Sequence, residues 1–337
     1  DTCARVLNVA YKHVAAAPQR RAPLAMVPLI FAFLKLARSI KLAVDTAAAK
    51  EPAAEAQADA VAKKPAAEAQ AEVAAKEPAA EAPSDTGEAA DGDTSQAAAD
   101  GESEEDAPPA EADAKATDDA AKPPAAPQLA VSCHKLLSFI PRMVAVVAAV
   151  APELALRLHL QCALVADACG EENDAYEFLT QAFTIYEEEL SSQASRVSAI
   201  MLVTATIPWL LQLACETYET LAAASTKYSY KLLKKPDQSL AVAKASYQFW
   251  PAAEDKRSPQ RVLDCLQRAL RIAADCKASK AHTALFVEAL EAYMWHFEQG
   301  NEMVTVTYIN SLIQLIEQHL AEEKDKTSSH HARYANL

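Results

Sequence analysis

Glycine is scarce in this chain: there are five in 337 residues, and Gly87, Gly92 and Gly101 fall in one acidic stretch. Gly170 and Gly300 stand singly where helices are expected to end, so no phosphate-cradling loop, dinucleotide fingerprint or nucleophile elbow can be assembled. Alternating β-branched runs bounded by turns are missing too, which excludes a sheet-based fold. The seven cysteines (Cys3, Cys133, Cys162, Cys169, Cys215, Cys265, Cys276) are scattered and never spaced C-x-x-C. They read as small buried hydrophobes of a reducing compartment rather than as metal or redox groups. No apolar run is long. The stretch 24–34 is interrupted by Pro28 and 143–151 stops at Pro152, so neither is expected to span a bilayer. The basic groups (Arg20, Arg21 and the lysines of 231–235) are too small for nucleic-acid binding or attachment to a membrane surface.

Negative charge is plentiful but uneven. The chain carries −14, whereas residues 45–127 alone carry −15 and the remainder is near neutral at +1. That 83-residue stretch has no aromatic and no cysteine, yet holds 9 of the 18 prolines. It cannot bury enough apolar surface to offset the entropy of ordering, so it reads as a disordered acidic insertion. Within it AKEP, AKKP and AKEP recur every 13 residues at 49–52, 62–65 and 75–78, each followed by AAEA. A proline at that interval is expected to cut each alanine-rich helix short.

Elsewhere the pattern is helical throughout. Val262, Leu263, Leu266, Ala269, Leu270, Ala273 and Cys276 recur at helical spacing after Ser258 and Pro259. A second stripe runs Leu285, Phe286, Leu290, Tyr293, Met294, Phe297 and stops at Gly300. A third runs Val304, Tyr308, Ile309, Leu312, Ile313, Ile316, Leu320. Helices are expected near 5–16, 24–44, 129–150, 152–168, 173–190, 194–214, 217–233, 237–249, 259–276, 281–298 and 302–320, with Pro208 kinking or dividing one of them. Lys234 and Lys235 are placed at a helix end, where cations suit the dipole. Short breaks fold each helix back on its predecessor, and such hairpins bury their stripes by stacking. The fold class is all-α: an α-solenoid of stacked antiparallel hairpins of HEAT/ARM type. Its parts are N-terminal helices over 1–44, the insertion over 45–127, the main solenoid over 128–320 and a disordered tail over 321–337.

Reactive groups do not converge in the sequence. His159, His282, His296 and His319 lie singly on different helices, and the neighbours His330 and His331 sit in a polar tail, so no metal, cofactor or catalytic residue is expected. What remains is recognition by surface, and the chain is not expected to be an enzyme. Tyr293, Met294 and Phe297 fit a buried stripe. Trp295 and His296 fall off it, and Trp250 ends an aromatic cluster with Tyr247 and Phe249. Trp250, Trp295 and His296 are therefore the candidate partner-binding residues.

Five blocks carry a resemblance: AYEFLTQAFTIYEEEL (175–190), KLLKKPDQ (231–238) with Phe249 and Trp250, RVLDCLQRALRIA (261–273), LFVEAL (285–290) and VTVTYINSLIQ (304–314). In this order they resemble the C-terminal end of vacuolar protein sorting-associated protein 35, the large helical subunit of retromer. The resemblance covers most of 151–320, and more loosely 23–43 and 127–150. It implies a non-catalytic scaffold of a coat that retrieves transmembrane cargo from endosomes to the Golgi or plasma membrane. Implied partners are the metallophosphoesterase-fold subunit, held on a curved surface, a second large subunit paired through distal helices, sorting nexins and actin-regulating complexes. The implied location is the cytosolic face of endosomes. The proline-arginine-leucine-tyrosine motif of the family's N-terminal region is absent, so the arrestin-fold subunit is not expected to bind here. The rivals are a generic helical-repeat adaptor of another vesicle-coat or cytoskeletal complex and, more distantly, a helical enzyme or lipid carrier with a closed apolar cavity.

Overall fold

Proline and glycine punctuate the helices of the computed structural model, which describes residues 2–15, 22–62, 132–276, 281–323 and 328–337. In order these helices are α1 (Thr2–Ala15), α2 (Ala22–Ala62), α3 (Cys133–Leu137), α4 (Ile140–Ala148), α5 (Pro152–Cys169), α6 (Glu172–Glu188) and α7 (Gln193–Thr206). Then come α8 (Cys215–Tyr230), α9 (Lys235–Ala245), α10 (Pro259–Ala274), α11 (His282–Glu298), α12 (Val306–Glu322) and α13 (Ser329–Ala335). Pro152 and Pro259 occupy first-turn positions, where the missing N–H removes no helical bond. Gly170 and Gly300 adopt φ of 78° and 80°, the left-handed conformation that ends a helix. After α5, Glu171 N–H reaches the Ala166 carbonyl and Gly170 N–H the Asp167 carbonyl; Asn301 and Gly300 repeat both bonds on His296 and Phe297. Orphan carbonyls at each end are thereby satisfied.

The chain divides into two units, one of Asp1–Ala47 with Leu129–Leu337 and the other Ala48–Gln128. In the first, α5, α7, α9, α11 and α13 touch in succession and form one layer. Helices α6, α8 and α10 each pack on the helix before and the helix after, and α12 packs on α11. This alternation is the stacked-hairpin solenoid expected from sequence. One face of each helix builds the core: in α10 it is Val262, Leu263, Cys265, Leu266, Ala269, Ile272 and Ala273. At roughly 1.5–3 kcal/mol for each large side chain buried, these seams supply the main stabilisation.

Helix α2 buries Met26, Leu29, Ile30, Phe33, Leu34, Ala37 and Ile40 in the same core, and Cys133 Sγ lies 3.4 Å from the Ala37 carbonyl. Neighbours 96 residues apart in sequence thus meet across the acidic stretch. Pro28 does not interrupt this helix. Its segment Pro23–Ala48 is long and apolar enough to cross a membrane by length and composition, against expectation; one face lies in the core, while Leu24, Phe31, Leu42 and Val44 are exposed. In the second unit the described part is the end of α2, which continues past Pro52 to Ala62; the rest of the insertion lies outside the described residues.

Several boundaries differ from expectation, among them these. The segment 129–150 is two helices, because Ser138 and Phe139 turn the chain before Pro141. Lys234 and Lys235 open α9 rather than close α8, and Lys235 faces Asp275 across the corner at 2.7 Å. The expected tail contains helix α13, which Arg333 ties to Glu288 and Glu291 of α11.

Candidate protein-binding groove

Pro208 ends α7 by removing an N–H donor, and the chain leaves through a short 3-10 turn, Ile207–Trp209. The segment that follows has no helical partners for its backbone and borrows them from two buried charges. Asp167 accepts N–H bonds from Leu211, Gln212 and Leu213 at 2.9, 3.0 and 3.1 Å. Lys256 donates to the Leu210 and Leu211 carbonyls at 3.4 and 2.5 Å. Both side chains are nearly inaccessible. Burial pushes the Asp167 carboxyl above its ordinary value, while the three N–H groups and Lys256 pull it back.

That clamp turns Trp209 outward, leaving it 71% exposed, against the ends of two further helices of the same layer. After α9 the chain enters a second 3-10 turn, Ser246–Phe249, and Trp250 follows it. Arg257 lies over the Trp250 ring at 5.2 Å and bonds the Pro251 and Ala252 carbonyls at 2.9 and 3.3 Å, which fixes this corner. Trp295 of α11 packs on Tyr247 with centroids 4.8 Å apart. Together α7, α9 and α11 frame an open apolar groove of about 610 Å³ holding Trp209, Trp250 and Trp295, all three tryptophans of the chain. Its rim charge, Lys244, pairs with Glu288 at 2.5 Å. Burial alone would raise the Glu288 carboxyl, but Lys244 and Arg333 more than offset it and hold it low.

Of the three candidate residues, Trp250 and Trp295 line this groove, each half-buried, and His296 does not. His296 is fully buried beneath it, because α9 and α11 are adjacent in the layer and Ser246 receives the ring. Ser246 donates its hydroxyl to the Ala243 carbonyl at 2.7 Å, so its oxygen accepts from His296 Nε2–H at 2.9 Å. Nδ1 is left buried without a partner. The converse error concerns Phe297, assigned to the core stripe but 43% exposed. Trp209 escaped the sequence reading, although a Pro-Trp pair just past a helix end was the available signal.

Protonating Nδ1 would place a charge where no acceptor exists, and burial accordingly depresses His296 from 6.5 to about 4. His159, buried beside Phe178 on α5, falls to about 4 for the same reason. Between pH 6.5 and 4 the unfolded chain therefore binds more protons than the fold. The stability these neutral imidazoles permit is complete above pH 6.5 and is lost as pH drops toward 4. About 2 kcal/mol per histidine is expected to disappear between pH 7 and 5. Urea midpoints measured across that range test this: His159→Leu and His296→Leu are each expected to flatten the dependence, and an unaltered slope would refute the assignment.

The architecture defines an α-solenoid with an open apolar groove along one edge, lined by Trp209, Trp250 and Trp295. Residues 1–319 match the family vacuolar protein sorting-associated protein 35, and the chain belongs to that family. In Arabidopsis thaliana, vacuolar protein sorting-associated protein 35B is 43% identical over 187 residues, which is 53% of this chain and 24% of that protein. Protein 35A of the same plant is 40% identical over 204 residues, covering 57% and 26%. The Schizosaccharomyces pombe protein 35 is 37% identical over 173 residues, covering 50% and 21%. The chain thus spans about a quarter of the length of these curated relatives. Family membership removes the reading in which the match of the five blocks is coincidental.

Proposed function

We propose that this chain is a non-catalytic scaffold of the retromer coat, and that its stack holds the metallophosphoesterase-fold subunit during retrieval of endosomal transmembrane cargo. The observation that carries this is the placement of the groove. Helices α7, α9 and α11 lie within the family-matched residues, and their shared edge presents three tryptophans instead of polar, solvated side chains. Tryptophan is the residue type most enriched among interface anchors, since it buries a large rigid surface at small entropic cost. A row of packed helices also suits the task physically, because modest contacts sum along a rigid array. Self-association through distal helices, and contacts with sorting nexins and actin-regulating complexes, belong to the same proposal by family. The acidic segment is not needed for the principal contact. Co-purification with the phosphoesterase-fold subunit is expected to survive deletion of 45–127. Failure of the intact chain to associate at micromolar protein would overturn the proposal.

A further inference from the structure

The sequence places His330 and His331 side by side in a polar tail, an unpromising arrangement for chelation, and no metal site was expected there. The fold supplies the missing third group. Glu323, just beyond α12, sets Oε2 at 2.7 Å from His330 Nε2 and 3.3 Å from His331 Nε2. One donor atom from each residue falls within 4.8 Å of the other two, and the side chains are 27%, 14% and 18% exposed, so the group is sheltered but reachable.

We propose that Glu323, His330 and His331 form a zinc site that fastens α13 to the end of the solenoid. The donor set is right: two imidazole nitrogens and one carboxylate leave one tetrahedral position open, as in three-ligand zinc sites. Two of the three ligand–ligand spacings are close to what zinc needs, and the third is within 4.8 Å. Bonds of about 2.0–2.1 Å to a tetrahedral ion put neighbouring ligand atoms about 3.3 Å apart. The Glu323–His331 separation already has that value, and His330 need retreat only from 2.7 Å. A second observation points the same way. His331 Nε2 is buried and makes no aligned hydrogen bond, although the carboxylate is near. A nitrogen 3.3 Å from an oxygen but not aimed along a hydrogen bond to it has its lone pair available to an ion held between the two.

The surroundings fit a supported ligand. Thr283 of α11 donates its hydroxyl to Glu323 Oε1, which turns Oε2 toward the two rings. Such outer partners fix ligand orientation in metal sites. Ser328 Oγ lies 3.0 Å from the same His330 Nε2, a contact that gives way when the ion binds. The consequence is mechanical. Helix α13 is held on α11 by the Arg333 pairs with Glu288 and Glu291, and the metal adds a second anchor at its first turn. The three ligands lie beyond residue 319, where the family match ends.

Calorimetric titration of the 337-residue chain with Zn²⁺ tests the site, with hydrogen exchange of 329–335 as a second readout. One equivalent is expected to bind and to slow exchange in 329–335, whereas Mg²⁺ does neither. His330→Asn with His331→Asn, and separately Glu323→Gln, are expected to abolish that equivalent. Thr283→Val is expected to weaken it about tenfold while leaving the stoichiometry at one. Co²⁺ substitution distinguishes the exposed Cys215, since a thiolate ligand adds a charge-transfer band. An unchanged isotherm in the double-histidine variant, a thiolate band, or zinc binding that leaves exchange of 329–335 unaltered would each overturn the proposal.

Discussion

Asp167→Ala is expected to lower the melting temperature by roughly 10 °C, the largest loss anticipated from any single polar substitution here. The carboxylate is the only acceptor given to three consecutive backbone N–H groups, those of Leu211, Gln212 and Leu213. Alanine removes the protein acceptor of these donors, of which that of Leu213 is buried, and leaves Lys256 without the opposite charge that shares its clamp. Breaking a buried charged network by removing one member costs about 3–5 kcal/mol. The segment holds the exit from α7, so its release also loosens Trp209 and Leu211 in the groove. Asp167→Asn, which keeps one acceptor oxygen, is expected to fall between the two. Thermal unfolding followed by circular dichroism measures the series, and a shift under 2 °C for alanine would show that the segment is held by something else.

Trp209→Ala combined with Trp295→Ala is expected to weaken binding of the phosphoesterase-fold subunit at least about 30-fold. Truncating an interface anchor typically costs 2 kcal/mol or more, and each 1.4 kcal/mol is tenfold in affinity. The two effects are not expected to add fully, because both rings line one groove and share a desolvated surface. The single variants separate binding from folding. Trp209 is largely exposed and its loss is expected to leave the melting temperature within 1–2 °C. Trp295 packs on Tyr247 and on the His296 ring, so its loss costs stability as well as affinity. An unchanged dissociation constant for the double variant would remove the groove from the interface.

The helices were legible because a buried helical face repeats every three or four residues whatever it packs against. Val262 to Ala273 on α10 and Leu285 to Tyr293 on α11 declared their core faces in this way. Gly170, Gly300 and Pro208 were equally readable, since each acts on the backbone within one turn. What stayed hidden depends on partners distant in sequence. Nothing near Leu211 shows that Asp167, 44 residues earlier, will receive its N–H. His296 looked like a surface residue because the serine that shelters it lies 50 positions away. Glu323, His330 and His331 meet only because α13 returns to α11, and periodicity could not announce a seven-residue helix with no fully buried face. Phe297 departs from its stripe where α11 nears its end and the neighbouring layer no longer covers it.

Hydrogen exchange on the intact chain mixed with the phosphoesterase-fold subunit tests the central claim most directly. Protection is expected in three separate stretches at once, 201–211, 247–252 and around Trp295, with 63–131 unaffected. Association that protects none of the three, or no association at all, would contradict a scaffold that grips its partner through this edge of stacked helices.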